Sequence, residues 1–433
     1  MDFDKELLKK EALRVINLLK KDFVFDDGSF FLEKDKNGIF PYHIYPDIGD
    51  YLIFFLYFGE DEFINKHIKL LKDKMGQSYT LISEFPTFSV SNLAKSYEYT
   101  DLLVGLFDYY IYKKDDESKE LLIGATNRAI ELFSLDKKIT SFYHSSTKFH
   151  IPIIDTRDST LIEVFVDLYK EFGDKKYLEV SNNIFEILIG SDFFIKNNIL
   201  SNFDASLFLK KAFSLIRSTK FEEVDVCKNN TNSLFAFLAL YKVTSNLKIK
   251  DAIDTILDTI LNEASFDGGI SKRFNKGKKP ESANLTSSFP VIDFLCDLYF
   301  ETKDYKYLEK AKKIADFWIS KQGKTGLFSL ESDKKESFFD SETDMTISLL
   351  KLHDLSKEEK YLESAEKCFK GILKYHGRND YVLGIDIESG EVKNSIQRTK
   401  FMALYLKLII LIINIDNESM YNKDWLISLL RDR

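Results

Sequence analysis

A short acidic stretch, FFDSETDM at positions 338–345, carries three carboxylic acids directly before the apolar run TISLLKLHDL. If a helix has begun by this point, Asp340 and Asp344 share one helix face at i and i+4, with Glu342 between them in sequence. Carboxylates crowded at one opening repel each other, and this repulsion raises at least one pKa. A proton donor then stands beside a proton acceptor, which is the arrangement that acid and base catalysis requires.

A second stretch, DTRD at positions 155–158, opens another apolar run in the same way. Arg157 here, and Arg398 later in the chain, either bind a carboxylate or phosphate of a substrate or neutralise neighbouring acids, because both uses share the bidentate geometry of a guanidinium. Helix capping is the alternative explanation for any one polar helix start, since Asp, Asn, Ser and Thr are preferred N-caps. One cap per helix is enough, however, and the surplus acids point to catalysis. The candidate catalytic acids are Asp155, Asp158, Asp340, Glu342 and Asp344.

Histidine and tyrosine supply a second kind of candidate. His144 and His150 lie in one loop, SFYHSSTKFHIPIID, and a histidine can abstract and return a proton beside a carbonyl at neutral pH. Tyrosines in loops and at helix starts offer faces on which sugar rings stack. No ligand spacing calls for a metal ion, and no cofactor is expected. The predicted substrate-binding residues, which lie in loops or at helix starts, are His43, Tyr45, Asp47, Asp50, Tyr97, Tyr99, Arg157 and Arg398.

An internal repeat positions these residues. Three segments align without gaps on a shared tyrosine: GDKKYLEVSNNIFEIL (173–188), KDYKYLEKAKKIADFW (303–318) and KEEKYLESAEKCFKGI (357–372). Nineteen residues before each tyrosine lies Asp158, Ser288 or Glu342, each opening an apolar run. One unit is therefore an apolar helix, a short polar turn and an amphipathic helix. Weaker copies begin at Tyr45, Ser96, Asn229 and Ser395.

The lengths of the connectors predict how the units are arranged. Turns inside a unit span only a few residues. The connections between units are longer and contain glycine together with residues that favour β-strands, as in 26–45, 266–274, 323–332 and 380–392. If inner and outer helices alternate, the long connections and the polar starts of the inner helices all lie on one side. The chain is thus predicted to be an all-α protein, an α/α toroid (barrel) of six or seven helical hairpins with short β-hairpin insertions on one face, forming a single domain over residues 1–433.

The chain resembles the six-hairpin glycosidase-like superfamily in three features. These are the alternation of apolar and amphipathic helices, the G/K-D-x-K-Y-L-E-x-A entry to the outer helix, and the glycine-containing hairpins. That group of α/α toroids includes N-acylglucosamine 2-epimerase relatives and unsaturated glucuronyl hydrolases. The resemblance covers almost the whole chain and is architectural. It implies an enzyme of carbohydrate metabolism, and it transfers no catalytic residue from any one member.

The composition excludes several classes of function. The net charge of −8 and the lack of a dense Lys/Arg stripe argue against a nucleic-acid partner. The longest apolar stretch, 401–415, is interrupted by Lys407 and is too short to span a membrane, and the N-terminus has no apolar signal core. The three cysteines show no CxxC spacing, which is typical of reduced thiols in a cytoplasmic protein.

Three functions fit these observations. The leading hypothesis is a glycoside hydrolase that acts on a sugar or short oligosaccharide in a central cavity, because hydrolysis by acid/base catalysis needs a pair of carboxyl groups. The alternative is a sugar or uronate epimerase or isomerase that uses His with a carboxylate. A third is a toroid that binds a glycan or a protein and catalyses nothing, since one fold hosts many functions. The oligomeric state is left open by the sequence.

Overall fold

The computed structural model describes residues 4–43, 49, 51–81, 93–135, 138–144, 146–151, 154–204 and 224–415. Most of these residues are helical. The helices are α1 (Lys5–Asp22), α2 (Leu52–Tyr57), α3 (Asp61–Met75), α4 (Ser96–Lys113), α5 (Asp116–Phe133), α6 (Thr160–Phe172), α7 (Lys175–Ile189), α8 (Asp192–Asn197), α9 (Asn232–Thr244), α10 (Leu247–Glu263), α11 (Leu285–Thr302), α12 (Tyr305–Ile319), α13 (Phe339–Ser356), α14 (Glu359–Gly371) and α15 (Thr399–Asn414).

Short strands lie in the connections. They are β1 (Phe31–Asp35), β2 (Gly38–His43), β3 (Leu93–Lys95), β4 (Ser134–Leu135), β5 (Lys138–Ile139), β6 (Phe142–His144), β7 (Phe149–Ile151), β8 (Ile154–Asp155), β9 (Phe203–Asp204), β10 (Val224–Asp225), β11 (Ser265–Phe266), β12 (Gly269–Ile270), β13 (Arg273–Phe274), β14 (Gly384–Ile385), β15 (Val392–Asn394) and β16 (Gln397–Arg398). Among the described residues, none of the helices combines the length and the apolar character that crossing a bilayer requires.

Consecutive helices pack as hairpins, as the repeat predicts. The packed pairs are α4 with α5, α6 with α7, α9 with α10, α11 with α12, and α13 with α14, while α15 packs against α1. Within each of the two compact units described below, the first helices of neighbouring pairs also pack on each other, and they are buried over most of their circumference because they are apolar nearly all round. We call these first helices inner and their partners outer. The predicted unit at Asn229 is confirmed as α9 and α10.

The repeated G/K-D-x-K-Y motif is explained by the turn between an inner and an outer helix. Gly173, Lys303 and Lys357 each follow an inner helix with positive φ (71°, 57° and 59°), the left-handed conformation that commonly ends helices. Asp174 and Asp304 come next, and their side chains cap the outer helix. The shared tyrosine then packs inward, because Tyr177, Tyr307 and Tyr361 are only 1%, 6% and 0% exposed.

The contacts divide the chain into two compact units. The first comprises residues 1–71, 267–270 and 282–433, and the second comprises residues 72–266 and 271–281. In the first unit the inner helices α11, α13, α15 and α2 pack in that order. The sheets β16-β1-β2 and β14-β15 lie in the connections of this unit. In the second unit α4, α6 and α9 pack in order, with sheets β3-β6-β7, β4-β5, β8-β9 and β10-β13. The single-domain assignment stays a prediction.

The predicted β-hairpin insertions are confirmed at three of the four quoted connections. Residues 266–274 contain the end of β11 together with β12, which form a two-stranded sheet. Residues 26–45 contain β1 and β2, and residues 380–392 contain β14 and the start of β15. The connection 323–332 was predicted to be a hairpin and instead forms none of the strands. It is held by backbone hydrogen bonds to other segments, from Leu285 N to Leu330 O and from Leu330 N to Glu336 O. These partners satisfy its polar groups without a second strand.

Candidate active site

Side-chain caps are common at the starts of the outer helices and absent from the described starts of the inner ones, although the outer helix α14 begins after Glu358 without a side-chain cap. The outer helices α5, α7, α10 and α12 are each capped by a side chain, from Asp115, Asp174, Asn246 and Asp304 respectively. Within the described part of the chain, α4, α6, α9, α11, α13 and α15 begin without a side-chain cap, although Asp155 and Asp225 cap the short turns that lead into α6 and α9. Capping therefore explains polar outer starts, and it does not explain the acids that open α13.

Asp340 and Asp344 share one face of α13, as the sequence predicted, because the helix begins at Phe339. Both side chains are half-buried. Burial raises the pKa of Asp344 to about 7, with Lys407 opposing the rise and Asp340 and Asp293 adding to it. Burial also raises the pKa of Asp340, and the backbone N–H of Ser341 and the charge of Arg398 oppose that rise. The Asp340/Asp344 pair thus holds two carboxyl groups in different electrostatic surroundings.

Further charges line the inner helices beside this pair. Asp293 and Asp297 are four residues apart on α11 and therefore share a face, and both approach Lys351 of α13. Lys351 Nζ lies 2.6 Å from Asp297 Oδ1 and 3.6 Å from Asp293 Oδ1. Burial acts to lower the pKa of Lys351, but the two aspartates outweigh it and raise the pKa. With Lys407 of α15, these groups form a network of alternating charge in the first unit.

Sequence reasoning missed this network. Lys407 had been noticed only as an interruption of the apolar run 401–415. Asp293 and Asp297 interrupt the apolar α11 in the same way, at i and i+4. Charged residues on one face of a helix that is otherwise apolar all round would have been the signal. Among the described residues, no three His, Cys, Asp or Glu side chains are arranged as ligands for a metal ion.

Glu342 lies apart from the two aspartates that flank it in sequence. Its side chain is 0% exposed, and its Oε1 accepts a 2.8 Å hydrogen bond from Phe328 N. Its Oε2 lies 2.9 Å from Cys368 Sγ, and burial raises its pKa well above the usual range. Both oxygens are engaged inside the protein. Glu342 is therefore an anchor for the connection 323–332, and a catalytic role for it stays a prediction.

Asp158 and Ser288 occupy the same repeat position as Glu342 and have the same role. Asp158 is 0% exposed, and its two oxygens accept hydrogen bonds from the hydroxyls of Ser96 and Ser141. Ser288 Oγ accepts a 3.0 Å hydrogen bond from Ile270 N. In each of these three repeats, a buried polar side chain at or near the start of the inner helix forms hydrogen bonds with the connection that precedes the helix. The nineteen-residue spacing is a structural signature, and both oxygens of Asp158 already accept hydrogen bonds inside the protein. A catalytic role for Asp158 stays a prediction.

Burial raises the pKa of Asp158 to about 7, with Asp155 adding to the rise, so Asp158→Asn is expected to change how stability depends on pH. The native pKa is above the unfolded value near 3.8, so the wild-type free energy of unfolding falls as pH rises from about 4 to about 7. Each pKa unit corresponds to about 1.4 kcal/mol, and Asn carries no such proton. Urea unfolding at pH 4.5, 5.5, 6.5 and 7.5 measures the change: the variant loses less stability across this window. Glu131→Gln, at an exposed site, serves as the control, and parallel curves for Asp158→Asn and wild type would contradict the assignment.

Asp155 and Arg157 form an ion pair in the second unit. Arg157 Nε lies 3.0 Å from both oxygens of Asp155, which is 1% exposed. The guanidinium also stacks over the half-buried ring of Tyr97, with 3.9 Å from its central carbon to the ring centroid. Arg398 of the first unit is paired in the same manner, 2.8 Å from Glu33 Oε2. Both arginines thus neutralise acids, and substrate binding by Arg157, Arg398 and Tyr97 stays a prediction.

Tyr99 belongs to the core and not to a binding surface. It is 1% exposed, its hydroxyl accepts a 2.7 Å hydrogen bond from Leu81 N, and its ring packs edge-on against Phe133 at 5.3 Å. Of the other predicted binding residues, His43 ends β2 and only its backbone is described. Tyr45, Asp47 and Asp50 lie outside the described residues.

His144 and His150 do not face each other. They lie on neighbouring strands β6 and β7, where Tyr143 pairs with His150 and His144 pairs with Phe149. Because directly paired residues share a face and adjacent residues alternate, the two histidines point to opposite faces of this hairpin. His144 Nδ1 accepts a hydrogen bond from Thr147 N within the turn. His150 lies beside Tyr143, and burial lowers its pKa.

No protein-family profile and no curated protein sequence matches the chain. Solved structures do match over nearly its full length. A cellobiose 2-epimerase from Spirochaeta thermophila is 10% identical with a TM-score of 0.59, covering 95% of this chain and 99% of its own. A D-mannose isomerase is 11% identical with a TM-score of 0.58 and the same coverages. An unsaturated glucuronyl hydrolase specific for heparin is 15% identical with a TM-score of 0.53, covering 96% of this chain and 100% of its own.

These likenesses establish the fold. The chain has an α/α toroid fold like that of these solved structures, and the resemblance predicted from the sequence is confirmed at the level of the fold. At 10–15% identity the comparisons carry no residue and no activity from one protein to another.

Proposed function

We propose that the chain is a carbohydrate-active enzyme, a glycoside hydrolase that acts through the Asp340/Asp344 pair on a sugar or short oligosaccharide. One observation carries the proposal: two half-buried carboxyl groups share a face at the start of an inner helix, and the pKa of one is raised to about 7 by burial. A carboxyl with that pKa keeps a proton at neutral pH and can donate it. The toroid fold shared with sugar enzymes agrees with this assignment.

Asp344 is the general acid in this mechanism. Its proton passes to the glycosidic oxygen as the bond from the anomeric carbon to that oxygen breaks, so that the leaving group departs as a neutral alcohol. Lys407, whose charge acts to lower the pKa of Asp344, keeps that pKa within reach of neutral pH. The carboxylate that remains then accepts a proton from the water that completes hydrolysis.

Asp340 is the nucleophile or the base. The backbone N–H of Ser341 and the charge of Arg398 favour its ionised form, as does the N-terminal end of α13. Residues at i and i+4 of a helix have β-carbons about 5–6 Å apart. Retaining glycosidases hold their two carboxyl groups about 5–5.5 Å apart, and two side chains that start this close on one helix face can hold their carboxyl groups at such a separation. The proposal therefore includes a covalent glycosyl intermediate on Asp340 and retention of the anomeric configuration.

A sugar epimerase or isomerase is the second candidate, and the named activities of two similar structures favour it. In this mechanism one carboxylate removes a proton beside a carbonyl and an acid returns it. Of the described histidines, His376 and His67 are 0% and 3% exposed and burial lowers the pKa of each to about 4. The Asp340/Asp344 pair would then supply the acid and the base.

A glycoside panel with product analysis tests the proposal. We expect hydrolysis of at least one aryl glycoside or disaccharide, with the first-formed product retaining its anomeric configuration by NMR. The rate should fall as pH rises through about 7, because Asp344 loses its catalytic proton there. The same spectra detect epimers and ketose isomers formed from free aldoses. Epimer formation without hydrolysis would replace the leading proposal by the second, and sugar binding without any turnover would overturn both.

A cytoplasmic location is also proposed. The three cysteines are free thiols, with Cys296 and Cys368 buried and Cys227 half-buried. Thiols persist in reducing compartments, where structural disulfides are rare.

A further inference from the structure

The amide of Asn284 has an unused hydrogen-bond donor. Asn284 is the N-cap residue of α11 and is 2% exposed, yet its side chain does not cap the helix. Its Oδ1 accepts a hydrogen bond from Thr286 Oγ1. Its Nδ2 has no partner in the described part of the chain. A buried donor without a partner destabilises the fold, so such a group calls for a specific explanation.

The backbone of Asn284 is fully engaged, which fixes the position of this amide. Asn284 N donates to Ile270 O at 2.8 Å, and Asn284 O accepts from Ser288 Oγ at 2.9 Å. The neighbouring Leu285 N donates to Leu330 O at 2.8 Å. These backbone contacts, together with the hydrogen bond from Thr286 Oγ1 to Oδ1, hold Asn284 at the start of α11.

Thr286 connects this amide to the proposed catalytic face. Thr286 is half-buried and lies on the same face of α11 as Asp293 and Asp297, which follow it by 7 and 11 residues. The helix α11 packs directly on α13, and the charge of Asp293 contributes to the raised pKa of Asp344. Asn284 and Thr286 thus stand at the N-terminal end of the α11 face that adjoins the Asp340/Asp344 pair, within the first unit.

The two side chains together present one donor and one acceptor. Thr286 donates its hydroxyl proton to Asn284 Oδ1, so the lone pairs of Thr286 Oγ1 stay available to accept a hydrogen bond. Asn284 Nδ2 supplies an N–H that donates. A sugar hydroxyl group complements this arrangement because it accepts one hydrogen bond and donates another. A carboxylate can only accept and an ammonium can only donate, so neither one matches both atoms.

We propose that Asn284 and Thr286 bind a hydroxyl group of the sugar and set specificity for it. Asn284 Nδ2 donates to the hydroxyl oxygen, and the hydroxyl proton is donated to Thr286 Oγ1. This inference rests on the proposed function, since it places the sugar beside the Asp340/Asp344 pair. A site whose buried polar groups pair with a substrate hydroxyl discriminates strongly against the analogue that lacks it.

Asn246 offers a matched control. It has the same residue type and the same N-cap position, on the outer helix α10, and its Oδ1 accepts a 3.0 Å hydrogen bond from Lys248 N. Asn246→Asp keeps this cap, because Asp caps as well as Asn does. Asn284→Asp replaces the donor with an acceptor of the same shape. Activity and sugar binding should be lost only in the variant at Asn284.

The test is a cycle between protein variants and monodeoxy substrates. For the best glycoside of the panel, one monodeoxy analogue is expected to lose at least about tenfold in kcat/KM with wild-type protein, the size of one neutral hydrogen bond. With Asn284→Ala the same analogue should lose nothing further, whereas the other monodeoxy analogues still lose as they do with wild type. Thr286→Val should reproduce this pattern. If every analogue loses equally in kcat/KM with wild-type protein and with Asn284→Ala, the proposal is overturned. The hydrogen-bond partner of Asn284 Nδ2 is then a structural water.

Binding separates failure of this inference from failure of the proposed function. Saturation-transfer NMR with cellobiose, mannose and their methyl glycosides is applied to Asp344→Asn and to Asp344→Asn/Asn284→Asp. Weaker binding in the double variant, with the urea midpoint unchanged, supports the hydroxyl site even if wild-type protein hydrolyses nothing. Equal binding in both variants overturns the hydroxyl site even if hydrolysis is observed.

Discussion

Asp344→Asn is expected to lower kcat/KM for glycoside hydrolysis by about 10²–10⁴-fold, the range attributed to a general acid. Asparagine keeps the shape of the side chain and carries no transferable proton. Burial raises the pKa of Asp344 to about 7, so the wild-type residue still holds its proton in a large fraction of molecules at neutral pH. The fall in rate near pH 7 should disappear in the variant. Steady-state kinetics between pH 5 and 9 measure both effects.

Substrates with different leaving groups separate the roles of the two aspartates. A dinitrophenyl glycoside needs little protonation as it departs, so Asp344→Asn should impair it much less than a disaccharide. Asp340→Asn removes the group that attacks the anomeric carbon, and it should impair both substrates to a similar extent. Equal losses in both variants for both substrates would contradict the assignment of separate roles.

Glu342→Gln is the matched control for these variants because it changes a carboxyl of the same segment. Glutamine keeps the Oε1 acceptor for Phe328 N, and it is uncharged at a position where burial already disfavours the ionised carboxylate by raising its pKa well above the usual range. We expect turnover and the urea midpoint to change little. Loss of activity as large as that of Asp344→Asn would mean that the connection 323–332 reaches the reacting sugar.

The fold could be predicted from the sequence because it follows from local patterns that repeat. The turn motif around Gly173, Lys303 and Lys357 specifies a left-handed helix end, which Asp174 and Asp304 follow with a side-chain cap, and the apolar runs specify helices buried all round. The connection 323–332 was mistaken for a hairpin because its polar groups are satisfied by distant segments. Such long-range partners leave no local pattern in a sequence.

The site could be predicted only in part, because the direction in which an acidic side chain points depends on where its helix begins. Once α13 starts at Phe339, Asp340 and Asp344 share a face and Glu342, two residues on, lies about 200° round the helix from Asp340. The sequence placed all three near the helix start, and that start is uncertain by a turn when it is read from a pattern alone. The hydrogen bonds of Asp158 could not be predicted for a related reason, because its partners Ser96 and Ser141 come from two other segments.

The largest expected effect of a substitution on stability is at Lys351, in the charge network beside the Asp340/Asp344 pair. Lys351→Met is expected to lower the free energy of unfolding at pH 7 by about 3–5 kcal/mol, the cost of removing one partner from a buried ion pair. Lys351 is 12% exposed, and its partners Asp297 and Asp293 are 19% and 27% exposed in their side chains. Urea unfolding monitored by circular dichroism measures the loss. Lys9→Met, which breaks an exposed pair with Glu6, should leave the urea midpoint nearly unchanged.

The deficit of Lys351→Met should shrink as pH falls, and this dependence identifies its cause. Burial already raises the pKa of Asp293 in the wild-type protein, and Lys351 opposes that rise. Without Lys351 the pKa of Asp293 climbs further above the unfolded value, so the variant gains more stability on acidification than the wild type does. Adding Asp293→Asn and Asp297→Asn to Lys351→Met should restore most of the loss at pH 7. If the deficit is instead the same at pH 4.5 and pH 7.5, it reflects lost packing of the lysine stem and not unpaired carboxylates.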